Sequence, residues 1–220
     1  MTALLVVSPH PNTASSRCGA LIAAHPGATV CTVFAGMPSD DHPLPKWDAI
    51  CGFANSRKAV LQRRREDRAA LEILGAQPCW LGLLDGQYRR GSPRERIDSR
   101  LRRILRAREP KLVAIPAGLL HPDHEIVHEA AVSLLEHSHG CRWVLYEDAM
   151  YRTVDGALEE RFASLRRRGI RLAPLRVRAT SRRKKAAVQC YESQLRGLGS
   201  GGPPGYEDVY RAEGYWDLFA

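Results

Sequence analysis

The chain has 220 residues, 44% hydrophobic and 26% charged, an ordinary globular composition able to bury a sizeable core, which sets aside disordered and fibrous classes. Lys and Arg total 33 against 24 Asp and Glu, a formal charge of +9, and Arg outnumbers Lys by 28 to 5. The basic residues gather at 63–65, 94–108, 166–168 and 176–185, interleaved with apolar residues at helical spacing such as Ile97, Leu101, Ile104 and Leu105. With no zinc finger, stacking-aromatic motif or helix-turn-helix pattern beside them, they read as solvated helix faces and exclude a nucleic-acid partner.

Along the chain, short apolar runs alternate with longer amphipathic stretches, the pattern of a mostly parallel sheet with helices on both faces, so a Rossmann-like α/β fold is expected. Strands are expected at Ala3–Val7, Thr29–Phe34, Cys79–Leu84, Leu112–Ile115, Trp143–Tyr146 and Ile170–Arg178. Helices fill the gaps at 14–24, 57–74, 94–108, 124–138, 158–168 and 182–196, with Gly75 capping the second. Residues 197–205 (GLGSGGPPG) are expected as a flexible surface loop, and the last fifteen residues, rich in Tyr and Trp, return to pack on the body. No repeat or linker divides the chain, so 1–220 is expected as a single domain.

The first apolar run is five residues long with no basic region before it, too short for a secretory core or a membrane span, and the expectation is a soluble, cytoplasmic protein. Six cysteines without a Cys-x-x-Cys pair predict buried thiols. Cys18 lies near the first loop, but nothing in the sequence pairs it with a base.

Two polar segments interrupt the pattern where such folds place ligands, beyond the carboxyl ends of strands: Ser8-Pro9-His10-Pro11-Asn12-Thr13 and His121-Pro122-Asp123-His124. If the fourth strand lies beside the first, both histidine loops face one crevice.

With these loops, Arg63-x-x-Glu66 followed by Leu74-Gly75, Asp85-Gly86, and Tyr146-Glu147-Asp148, the chain resembles the PIG-L/LmbE family of zinc-dependent N-deacetylases. The resemblance covers most of the chain and implies an LmbE-like fold and hydrolysis of an N-acyl group on an amino sugar or small glycoconjugate. It implies a catalytic zinc with three protein ligands at the positions of His10, Thr13 and His124, a general base at Asn12, and an oxyanion-stabilising His121 oriented by Asp123. It also places Arg63 and Asp85 against sugar hydroxyls; without it, Arg63 is a surface helix charge and Asp85 a turn residue.

The first motif of the family reads His-Pro-Asp-Asp, and here it reads His10-Pro11-Asn12-Thr13. Asparagine is no base at neutral pH, and a lost base removes about 10² to 10⁴ in rate. Threonine is a poor zinc ligand, so the ligand set is incomplete unless Asp85, Asp123 or Asp148 supplies a third. Asn12 and Thr13 also suit the N-terminus of the first helix as side-chain caps. The expectation is impaired deacetylation, the alternative a pseudoenzyme that binds a sugar, an anionic ligand or a partner protein.

Residues 124–128 also spell His-Glu-x-x-His, a metalloprotease pattern with Glu125 as base, though His124 stands too early in its helix for it. His128 is otherwise expected to face solvent, and His137 and His139 to close their helix near its C-terminal dipole.

Overall fold

The computed structural model describes residues 3–135, 140–177, 181–199 and 206–220. Seven strands form one sheet: β1 (Leu4–Ser8), β2 (Thr29–Thr32), β3 (Gln77–Trp80), β4 (Leu112–Pro116), β5 (Arg142–Tyr146), β6 (Arg171–Pro174) and β7 (Tyr215–Phe219). Their order is β3-β2-β1-β4-β5-β7-β6, with β3 through β5 parallel and β7 antiparallel to both of its neighbours. The fold is α/β, a mostly parallel sheet with helices on both faces, as expected.

The helices are α1 (Thr13–Arg17), α2 (Gly19–Ala23), α3 (Lys46–Ile50), α4 (Ser56–Leu74), α5 (Arg94–Arg108), α6 (Pro122–Leu135), α7 (Ala157–Arg167), α8 (Ser181–Gln189) and α9 (Glu192–Gly199). Alternation along the strands divides them between two cores. Leu5, Val7, Val113, Ile115 and Leu145 face Ile97 and Leu101 of α5, Val127 and Leu134 of α6 and Leu165 of α7. Leu4, Val6, Val30, Ala114 and Val144 face α1, α2, α4 and α8 through Ala14, Ile22, Leu71, Leu74 and Ala187. Burial on both faces explains why β1 and β4 read as continuous apolar runs.

Gly75 ends α4 in the left-handed region (φ 76°), as its position predicted. The helix expected over 14–24 is two short ones broken at Cys18, whose φ of −136° leaves helical geometry, and that expected over 182–196 is broken between Gln189 and Glu192. The third strand begins two residues early, at Gln77, and ends at Trp80, four residues early, with Gly82 in the left-handed region (φ 68°) just beyond it. Gly197 is not in a loop. It lies in the last turn of α9 against α3, where an added Cβ would stand 2.7 Å from Cys51 Sγ and 2.9 Å from the Trp47 ring. Leu198 and Gly199 continue α9, and the sixth strand, expected to Arg178, ends at Pro174, while 200–205 of the expected loop, the end of the helix expected to reach 138, Arg178, His137 and His139 lie outside the described residues. The returning C-terminal segment does more than cover the body: β7 enters the sheet between β5 and β6. Among the described residues no helix is long and apolar enough to cross a membrane, and all six cysteines are free thiols, three of them buried.

Gly118, in the loop after β4, has φ 72°, and a Cβ there would stand 2.4 Å from His128 Cβ. Gly118→Ala should therefore destabilise the fold by more than about 2 kcal/mol, combining a disallowed backbone with an immovable neighbour. Urea denaturation of the variant beside the wild type measures it.

Candidate functional site

The carboxyl ends of the central strands open into one cleft of about 640 Å³. β1 and β4 are neighbours, so the loops that follow them face each other across the point where the sheet reverses its winding. All eight residues singled out in the sequence border this cleft: His10, Asn12 and Thr13 after β1, Arg63 on α4, Asp85 after β3, and His121, Asp123 and His124 at the start of α6.

The first loop is shaped from within β1. Ser8 Oγ accepts the Ala14 N–H (3.1 Å) and donates to the His10 carbonyl (2.9 Å). Asn12 sits in the left-handed region (φ 87°), which asparagine tolerates better than most residues, and its carbonyl receives the Ser16 N–H (3.1 Å) and hydroxyl (2.8 Å). The Asn12 side chain makes no capping bond, so the acceptor expected from it comes instead from Ser8. Thr13 is 2% exposed and brings no carboxylate to the floor of the cleft.

Three imidazoles converge there. Ring centroids of His10 and His121 lie 5.3 Å apart, His10 and His124 5.5 Å, and His121 and His124 5.1 Å. One nitrogen from each falls within 4.8 Å of the others, and His10, Asp85 and Asp123 form a second group of that size. His10 Nδ1 is 3.1 Å from Asp85 Oδ2 and its Nε2 3.5 Å from Asp123 Oδ2. Asp85 also accepts the Gln87 N–H (3.0 Å). Against the pull of burial, His10, that N–H and Arg63 hold its carboxyl well below the usual carboxylate range. The Asp123 carboxylate turns to Arg89 Nη2 (2.5 Å) and the Gly86 N–H (2.8 Å), and it is the Asp123 backbone N–H that reaches His121 Nδ1 (3.2 Å).

Beneath His124 lies Asp148, fully buried at the end of β5. It takes His124 Nδ1 at 2.8 Å, Arg17 Nη1 at 3.3 Å and the Leu119 N–H at 2.8 Å. Against burial, the hydrogen bond from His124, the Arg17 charge and the Leu119 N–H hold Asp148 well below the usual range. Burial, aided by Arg17 and His10 and opposed by Asp148, draws His124 down to about 3, so its ring is neutral at physiological pH.

Sequence reasoning missed Arg17. It is 6% exposed, with Nη1 3.2 and 3.3 Å from the two ring nitrogens of His124 and its guanidinium carbon 5.6 Å from the centre of the Tyr151 ring. Its signal was four-residue spacing from Thr13, which puts both on one side of a helical turn. Arg63 is likewise no surface charge. At 5% exposure it donates to Asp48 and to the Tyr88 hydroxyl (3.2 Å), which in turn donates to Asp48 (2.5 Å). Arg17, Arg63 and Arg89 thus each meet a carboxylate, Asp148, Asp48 and Asp123. An anion entering the cleft finds these guanidinium groups already engaged.

The His-Glu-x-x-His pattern dissolves in the structure. His128 is not solvent-facing: it is fully buried, its Nδ1 2.8 Å from the Pro116 carbonyl, while Glu125 is exposed. His124 and His128 therefore address different surroundings, one the cleft and the other β4.

The three imidazoles have the donor chemistry that zinc prefers, and both ring nitrogens of His10 are shielded from solvent. The place beside them is contested. Nδ1 of His124 is held by Asp148, which leaves Nε2 for a metal, and Nε2 is 3.3 Å from Arg17 Nη1. An ion bound there at the usual ~2.1 Å would lie at most about 5.4 Å from that nitrogen. At an effective dielectric of about 20, the two cations would repel by about 6 kcal/mol before any offset from Asp148. The second group has the same difficulty, since Arg89 holds Asp123. As arranged, these residues do not fit a resident divalent metal.

Residues 5–135 match the profile of the PIG-L family, described as GlcNAc-PI de-N-acetylase. Among solved structures, a deacetylase triple mutant of the teicoplanin biosynthetic pathway is 27% identical, with a TM-score of 0.80 over 99% of this chain and 98% of its own. A deacetylase–teicoplanin complex is 25% identical, with a TM-score of 0.74 over 98% and 97%. The 4-carboxy-2-hydroxymuconate hydratase GalB of Pseudomonas putida KT2440, 20% identical, shares the fold with a TM-score of 0.66 over 100% and 97%. No curated protein matches the sequence significantly.

Asp148→Asn leaves Arg17 a buried cation without its anion and should destabilise the fold by about 3–5 kcal/mol, measured by urea denaturation. His128 offers a separate test. Burial, with Arg161 nearby, holds it at about 4 against an ordinary value near 6.5, so the unfolded chain binds its proton first. Its contribution to stability is complete above about pH 6.5 and fades as pH falls toward about 4. Unfolding free energy measured from pH 7 to 4 should fall less steeply in His128→Gln than in the wild type.

Proposed function

The chain belongs to the PIG-L family, and from that premise we propose that its cleft binds the N-acylated amino sugar of a glycoconjugate while the family's hydrolytic step is impaired or lost. The observation that carries this reading is the pair Asn12 and Thr13 on the cleft floor, with Arg17 lodged against His124 one helical turn on. Neither side chain supplies a carboxylate, and no zinc is assigned to His10, Thr13 and His124, because guanidinium and metal would crowd the same imidazole. The domain is taken as 1–220, with a small-molecule ligand and no nucleic acid.

The cleft keeps what sugar recognition needs. Arg63, braced by Asp48 and Tyr88, borders it as a rigid planar donor, and Asp85, ionised beside His10, borders it as an acceptor. Trp47 and Phe34 offer apolar surface to a ring face or an acyl methyl. His121, not a metal ligand on this reading, stands where it can donate to the acyl oxygen. The teicoplanin-pathway structures are of deacetylases with the same fold, which supports an amino-sugar glycoconjugate as the ligand class. A second reading, in which hydrolysis survives on His10, His121 and His124, draws on the convergence of their ring nitrogens.

The test is calorimetric titration with 4-nitrophenyl N-acetyl-β-glucosaminide, together with an enzymatic assay for released acetate. Saturable binding that Arg63→Ala weakens about tenfold, with acetate release at least about 10²-fold below that of an active family member, is the expected outcome. Acetate release at the active member's rate would establish the second reading, and absence of binding would remove the first.

A further inference from the structure

We propose that Arg17 is the built-in cation of this cleft: its guanidinium, seated against His124, Asp148 and Tyr151, takes the place of a metal. The inference shares its cleft with the binding reading but does not need it, since it concerns what holds the imidazoles.

A cluster of imidazoles with one nitrogen from each within 4.8 Å of the others is a metal centre by its donor chemistry, and a positive charge is what such a cluster lacks. Arg17 supplies one from within the chain. Its Nη1 stands 3.2 and 3.3 Å from the ring nitrogens of His124 and 3.3 Å from Asp148 Oδ1. Asp148 has no exposed surface, and a buried carboxylate of this kind needs a cation. Arg17 is itself only 6% exposed, so withdrawal of its side chain would strand both charges. The approach of the chain makes this position permanent: α1 is tied to the junction of α8 and α9 by the Ser15 and Tyr191 hydroxyls (3.0 Å), and Tyr191 to Asp67 of α4 (2.9 Å). Guanidinium has no second charge and no open coordination position, so it orients neighbours and donates hydrogen bonds without generating hydroxide.

The experiment measures zinc itself. Wild type, Arg17→Ala and Arg17→Lys, each stripped with chelator, are titrated with zinc in competition with a chromophoric chelator, and circular dichroism checks the fold. Arg17→Ala should bind zinc at least about tenfold more tightly than the wild type, with Arg17→Lys remaining weak because it restores the charge. One zinc per wild-type chain held as tightly as in Arg17→Ala would overturn the proposal, and so would equally weak binding by both. Should Arg17→Ala fail to fold, diffraction at the zinc edge from wild-type crystals soaked in zinc chloride decides. No anomalous peak among His10, His121 and His124 supports Arg17 as the resident cation, and a peak there refutes it. Loss of sugar binding leaves these results untouched, so the two readings fail separately.

Discussion

A carboxylate without water around it constrains everything near it, and in this protein that carboxylate is Asp148. Desolvation would neutralise it unless charge and donors were delivered to its oxygens, and three elements deliver them: α1 brings Arg17, α6 brings His124, and the loop after β4 brings the Leu119 N–H. The cleft floor is thus assembled around a charge. The orientation of His124, the approach of α1 and the path of the loop past Gly118 are three answers to one electrostatic demand.

The same constraint separates fold from chemistry. The architecture is that of deacetylases, yet it is shared with a hydratase, so a Rossmann-like sheet and a cleft at its winding reversal do not specify a reaction. What specifies it is the handful of side chains on the floor. Asn12 and Thr13 keep the shape of the first loop, because Ser8 and backbone carbonyls do the structural work there, while two carboxylates are absent. A loop whose geometry does not depend on its chemical residues can lose them without unfolding.

Much of the fold was legible because burial on both sheet faces writes itself as apolar runs: β1, β4 and β5 were found to within a residue at each end, and α5 as Arg94–Arg108. The cleft was legible too, since polar residues between a strand and a helix stand out. The missed features share a cause. β7 is short and half exposed, with Asp217 in its middle, so its hydrophobic pattern is weak. α3 is five residues long. Arg17 hid among 28 arginines, most of them on solvated helix faces, and only tertiary packing distinguishes a buried guanidinium from those. His128 and Gly197 failed for the same reason, a histidine expected in water and a glycine expected in a loop both being packing devices.

The insertion of β7 between β5 and β6 bears on the order in which the molecule is made. β6 emerges from the ribosome some forty residues before the strand that joins it to the sheet, and Glu147, which accepts the Gly214 N–H at 2.6 Å, waits longer still. Until residues 215–219 are synthesised, β5 has a bare edge and β6 has no partner at all. Vectorial synthesis can lay down β1 to β5 early, but the two strands beyond β5 join in a single late event, with α8 and α9 to gather and an exposed edge to shield meanwhile.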